Sequence, residues 1–221
     1  MRDEWYNIDS DRDRKVIDVR NYVTLAPSNV FGSNNDLKAS GTMGAPGSCQ
    51  WSSVIWCWYA LNGYPTWDPR EKNENELMWL VPERPFAQVD TNWLKRMTDM
   101  CDVLGMNTEE MTSNETNKSQ QATSLVESML NEKGVYLIWM SSHMVAVYTE
   151  FRGGDKYYYD NTIACVKSHS AECIKNWIEE VCKCNNEWGE SHWTVVKCTL
   201  KGGKVTEENI ISAVKKIPRR N

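Results

Sequence analysis

Histidine is scarce in this sequence, with three among 221 residues, so any imidazole chemistry must run through His143, His169 or His192. Phenylalanine is equally scarce, at three. Basic residues are outnumbered by acidic ones, 25 against 30, for a net charge of −5. A chain of that balance lacks the electrostatic footprint of a nucleic-acid binder, and no nucleic-acid partner is expected. The one basic cluster, Lys215, Lys216, Arg219 and Arg220, reads as a solvated tail. No run approaches the ~18 apolar residues of a membrane span, and the opening MRDEWYNIDSDRDR has no apolar leader segment. The expectation is a cytoplasmic chain with no membrane partner. Without a leader, the glycosylation-type triplets at Asn114 and Asn117 are expected to stay unmodified. Repeats and low-complexity segments are also lacking.

Tryptophan and cysteine are plentiful. Eleven Trp mean that much of the core is indole, buried where each ring N–H still finds a partner. Eight Cys in a chain without a leader are expected to be thiols rather than disulfides. Hydrophobic residues at 41% and charged residues at 25% are ordinary for a globular protein. The length suits one large domain or two closely packed lobes.

Along the chain, residues 1–40 are polar, apart from a strand-like stretch over 15–25. A glycine-rich turn segment, GTMGAPG, follows at 41–47. Cys49 then opens the aromatic run QWSSVIWCWYAL, which closes at Asn62-Gly63, a helix stop. Further helices are predicted over 91–104, with Leu94, Met97, Cys101 and Leu104 on one face, and over 119–132. The second carries Ala122, Leu125, Val126, Met129 and Leu130 inward, with Gly134 as its C-cap. The pattern then changes to strands at 135–140, 143–150, 156–160 and 193–200. Gly153-Gly154 forms the hairpin turn between the middle two. A helix over 170–182 faces Ile174, Trp177, Ile178 and Val181 inward, and Thr206 caps a last helix to Lys216. The fold class is α+β. The segments are an extension (1–40), a helical lobe (41–134) and a β-rich lobe (135–221), together one domain.

A thiol attacks a carbonyl only as the thiolate. Free N–H groups and the dipole at a helix N-terminus favour that anion, and Cys49 stands where such a helix begins. His143 opens a strand after Ser141-Ser142, and Asp160 closes the strand that returns past the hairpin. An antiparallel pair turning at Gly153-Gly154 brings Asp160 back beside the start of the His143 strand. There its carboxylate fixes the tautomer and steadies the imidazolium. The spacing places a helical lobe between Cys49 and His143, and one hairpin between His143 and Asp160. The site is expected in the cleft between lobes.

This order, with SCQWSSVIWCWYAL as nucleophile helix, SSHMVAVY as histidine strand and GGDKYYYDNT as aspartate hairpin, resembles the papain-like cysteine proteases over roughly 40–165. It is most similar to the compact viral members, the picornaviral leader proteases and the papain-like proteases of toroviruses and other nidoviruses; some bacterial effector proteases share it. The resemblance implies a two-lobe papain-like fold, a thiol protease without a cofactor or metal, and Cys49, His143 and Asp160 as its triad. It implies a protein or peptide substrate: a polyprotein, host proteins, or ubiquitin and ubiquitin-like modifiers. A monomer is expected. The family's usual oxyanion donor ahead of the nucleophile has no counterpart in 42–48, so Gln50, Trp51, Asn34 and Asn35 are the candidates, with the Cys49 backbone N–H.

Alternatives stand beside each assignment. Cys57 is a rival nucleophile, although its place in mid-helix suits the core, and Asp155 is a rival orienter, although a Gly-Gly-Asp carboxylate is ordinary turn chemistry. An effector-type acyltransferase or an amidase would use the same triad. A non-enzymatic alternative is a zinc-stabilised binding module using Cys182, Cys184, His192 and Cys198.

Overall fold

In the computed structural model the described residues are 5–9, 48–66, 97–99, 101–102, 104–140, 143–150, 153–160, 165–184, 193–204 and 206. Among them the chain runs β1 (Tyr6–Asn7), α1 (Ser48–Leu61), β2 (Met106–Glu110), α2 (Lys118–Asn131), β3 (Gly134–Met140), β4 (His143–Thr149), β5 (Lys156–Tyr159), β6 (Val166–Ser168), α3 (Ala171–Cys184) and β7 (Thr194–Leu200). The strands form one sheet in the order β1-β6-β5-β4-β3-β7-β2. Every pairing is antiparallel except that of β1 with β6.

Side chains alternate across a strand, and β3 is apolar on both faces because both are covered. Val135, Leu137 and Trp139 point towards α1 in one core. Tyr136, Ile138 and Met140 point towards α2 and α3 in the other. Helix α1 is buried nearly all round, from Val54 to Ala60, as expected for a helix with no polar face. It ends as read from the sequence. Tyr64 N–H bonds to Tyr59 O and Gly63 N–H to Ala60 O, with Gly63 at φ +99°, the left-handed closing turn that favours glycine. Helices α2 and α3 are amphipathic, and the inward residues predicted for both are buried.

Several expectations are corrected. Gly134 begins β3, and α2 ends instead at Glu132 in extended conformation. A Cβ at Gly134 would stand 2.6 Å from the Tyr136 hydroxyl oxygen, so glycine is there to admit the Tyr136 ring. Strands β1, β2 and β6 were not anticipated. Strand β2, from the segment assigned to the helical lobe, pairs with β7, and β1, from the extension, pairs with β6. The three sequence segments therefore share one sheet. Residues 97–99 and 101–102 are helical as predicted, with Met97 and Cys101 buried. Leu94, the 15–25 strand and the last helix lie outside the described residues. Asn117, in one of the glycosylation-type triplets, is the N-cap of α2, its Oδ1 accepting from Ser119 N–H and Gln120 N–H.

Two predictions follow from this packing. Tyr136 is fully buried and its hydroxyl donates to Glu132 O, so its ring cannot yield cheaply to a new methyl group. Gly134→Ala should lower stability by about 1–3 kcal/mol, read as a drop in the urea midpoint at constant m. The second concerns pH. Burial raises the phenols of Tyr136, Tyr148, Tyr157 and Tyr158. Unfolded phenols ionise near pH ~10 while the native ones keep their protons, so the native state binds more protons above that pH and stability falls there. Lys156, lowered by burial, works in the opposite direction but is one group against four. The urea midpoint should therefore fall between about pH 9 and about pH 11.

Candidate active site

Helix α1 carries Cys49 in its first turn. Two contacts fix how the helix lies along the sheet. Cys57 Sγ sits 3.7 Å from Tyr136 O, and Tyr136 pairs with Val147 of β4. One turn earlier, Ser53 Oγ donates to Met144 O at 3.1 Å, in the interior. Moving back along α1 thus moves back along β4. A further turn advances ~5.4 Å, between one and two strand residues. Carried one turn further, the same course brings the Cys49 backbone towards the start of β4 along the strand direction.

His143 and Asp160 meet at that end of the sheet. Strands β4 and β5 pair with Ala146 opposite Tyr159, so Asp160, the residue after β5, falls diagonally across from His143. The pleat gives His143 the parity of Val145 and Val147, and Asp160 that of Tyr158. His143 Nε2 lies 3.0 Å from Asp160 Oδ2. Asp160 is fully buried and His143 is 8% exposed, so water does not screen the pair as it would a surface contact. An ionised carboxylate only accepts, which puts the proton of this contact on Nε2. The nitrogen that exchanges a proton with a thiol is then Nδ1.

The same carboxylate oxygen accepts from Tyr158, whose hydroxyl lies 3.1 Å away. Burial and then the Asp160 charge push the Tyr158 phenol well above its ordinary range, so it remains a donor. Cys165 Sγ lies 3.9 Å from Asp160 O. The sequence alone does not single Tyr158 out of the Tyr157–Tyr159 run. The available signal was parity, since residues two apart on a strand share a face.

The rivals are placed differently. Cys57 is fully buried, and burial raises its thiol, which suits an inert core cysteine rather than a nucleophile. Asp155 pairs with the exposed His169, at 2.5 Å, and accepts from Tyr157 OH; it does not meet His143 among the described contacts. Gln50 is buried at 5% exposure. The Trp51 side chain, Asn34 and Asn35 lie outside the described residues. Of the zinc set, Cys182 belongs to the core under α2 and α3 and Cys198 to the core under α1. The sheet separates these two, so they cannot ligate one ion; the Cys184 side chain and His192 lie outside the described residues. No helix among the described residues is long and apolar enough to cross a membrane.

No family model matches the sequence, and no curated protein matches it. Solved structures do. The chain is similar to the Pseudomonas avirulence protein AvrPphB at 14% identity and a TM-score of 0.43, over 67% of this chain and 88% of that one. It is similar also to PatoxP, a cysteine protease-like domain of the Photorhabdus asymbiotica toxin PaTox, at 12% identity and a TM-score of 0.44, over 90% of this chain and 66% of that one. Values below 0.5 do not define a shared fold.

Asp160→Ala removes the acceptor of two interior donors, His143 Nε2 and Tyr158 OH. It should cost on the order of 1–3 kcal/mol, whereas Asp155→Ala, at the turn, should change stability by less than about 1 kcal/mol. Thermal unfolding of the two variants checks the contrast.

Proposed function

We propose that the protein is a cysteine-type hydrolase of peptide bonds, with Cys49 as nucleophile, His143 as acid and base, and Asp160 as the group that orients the imidazole. The observation that carries this is the buried His143–Asp160 pair, at 3.0 Å; Cys49, in the first turn of α1, supports it. The helix N-terminus and an imidazolium both favour a thiolate at Cys49. The thiolate adds to the scissile carbonyl, and a C–S bond forms as the carbonyl π pair moves to oxygen. The Cys49 backbone N–H, with Gln50 or Trp51, is the candidate donor set for that oxyanion. The tetrahedral intermediate collapses, the C–N bond breaks, and His143 gives its proton to the leaving amine. Water, deprotonated by His143, then attacks the thioester, releases the carboxylic acid and restores the thiol. Asp160 holds Nε2 throughout, so Nδ1 faces the reacting atoms.

An effector-type thiol protease of bacterial source and a compact viral one share this chemistry. They differ in substrate, which spans host proteins, a polyprotein, and ubiquitin or ubiquitin-like tails. The discriminating experiment is labelling of the whole chain with an epoxysuccinyl peptide and, separately, with a ubiquitin carrying a C-terminal electrophile. The epoxysuccinate should give one adduct, at Cys49, in the wild type and in Cys57→Ala, and none in Cys49→Ala. Reaction of the ubiquitin probe as well would make ubiquitin tails a substrate. No epoxysuccinate adduct at Cys49, with thiols titratable in the unfolded chain, would overturn the hydrolase proposal.

A further inference from the structure

We infer that Tyr158 is a positioning residue of this site, holding the Asp160 carboxylate in the orientation that meets His143. The inference rests on the catalytic role proposed for His143. Its geometry does not: Tyr158 OH and His143 Nε2 converge on one atom, Asp160 Oδ2, at 3.1 and 3.0 Å.

A carboxylate at the end of a strand can turn about χ2, a broad two-fold torsion. Two donors on one oxygen restrict that turn, because any rotation that keeps one contact lengthens the other. Tyr158 is itself held firmly. It is fully buried, and its ring meets the Trp177 ring of α3 edge-on, with centroids 6.1 Å apart and planes at 73°. Its backbone pairs with both neighbouring strands, opposite Val147 and Val166. The hydroxyl is thus a fixed point from which the carboxylate hangs. The titratable groups that act on it are Asp160 beyond its own strand, Cys165 ahead of β6 and Cys182 on α3, with His143 of β4 on the far side of the shared oxygen.

The donor also sets the charge on that oxygen. A hydrogen bond from a neutral phenol draws off part of the negative charge that would otherwise stabilise the imidazolium. Removing the hydroxyl leaves the carboxylate less well placed and more basic. Less precise placement slows turnover, and higher basicity raises the pH at which His143 loses its proton. Tyr158 has no assigned contact with the nucleophile or the substrate, so its effect on His143 runs through Asp160.

The test is Tyr158→Phe, which keeps the ring against Trp177 and deletes only the hydroxyl. The His143 titration, followed by NMR of the imidazole protons in the full chain, should move to higher pH by about half a unit or more. The same substitution in an Asp160→Asn background should leave the titration where Asp160→Asn alone puts it, since the coupling runs through the carboxylate. Turnover of a peptide substrate should fall roughly ten-fold with KM held. An unmoved His143 titration, or a shift of equal size in the Asp160→Asn background, would overturn the inference. The titration is read without any activity. Absence of Cys49 labelling therefore removes the hydrolase proposal, while the His143 shift alone decides whether Tyr158 sets this carboxylate.

Discussion

The register of β4 against β5 is the constraint on which the site depends. Ala146 stands opposite Tyr159 and Thr149 opposite Lys156, and Asp160 follows on the diagonal from His143. A slip of one residue would move every side chain of β5 to the other face. Asp160 would then lie under α1 and His143 under α3, and no contact between them would survive. The register is held by burial on both faces. Tyr159 stacks on Trp56 of α1, rings 5.4 Å apart at 9°, while Tyr158 meets Trp177 on the other side. A slip would exchange these partners, so the aromatic packing that fixes the fold also fixes the His143–Asp160 contact.

Helix α1 is tied into the same frame. Ser53 and Cys57 contact β4 and β3 one turn apart, which sets how far its first turn extends along the sheet. Cys57, Cys101, Cys173, Cys182 and Cys198 are interior thiols, and for Cys57 burial raises the cost of ionising. Cys49 instead belongs to the helix terminus, where backbone N–H groups lack intrahelical partners and favour an anion.

Much of this was legible in the sequence because the signals were strong. QWSSVIWCWYAL is too apolar to be anything but a buried helix, Asn62-Gly63 ends it, and Ala122 to Leu130 and Ile174 to Val181 repeat at helical spacing. The His143–Asp160 meeting could be anticipated because a single hairpin separates them and Gly153, at φ +92°, marks its turn. What escaped was weakly patterned. Strand β2, MNTEE, is an edge strand with only Met106 buried, and its partner β7 lies far along the chain. Strand β1 is two residues paired in parallel, too short for any periodicity. Gly134 read as a helix cap because a glycine after an amphipathic run usually is one, whereas here the Tyr136 ring claims the space. Three consecutive tyrosines conceal which phenol reaches Asp160 until the pleat assigns them to faces.

The central claim is that Cys49 and His143 form one proton-coupled unit oriented by Asp160. It is tested most directly by the pH dependence of the alkylation rate of Cys49 by iodoacetamide, compared between wild type and His143→Ala and followed by mass spectrometry of the Cys49 peptide. An ion pair predicts that wild-type alkylation stays fast well below the ordinary thiol range, with His143→Ala restoring a single rise near pH ~8.5. A wild-type profile that itself rises once near that pH and does not change in His143→Ala would contradict the account.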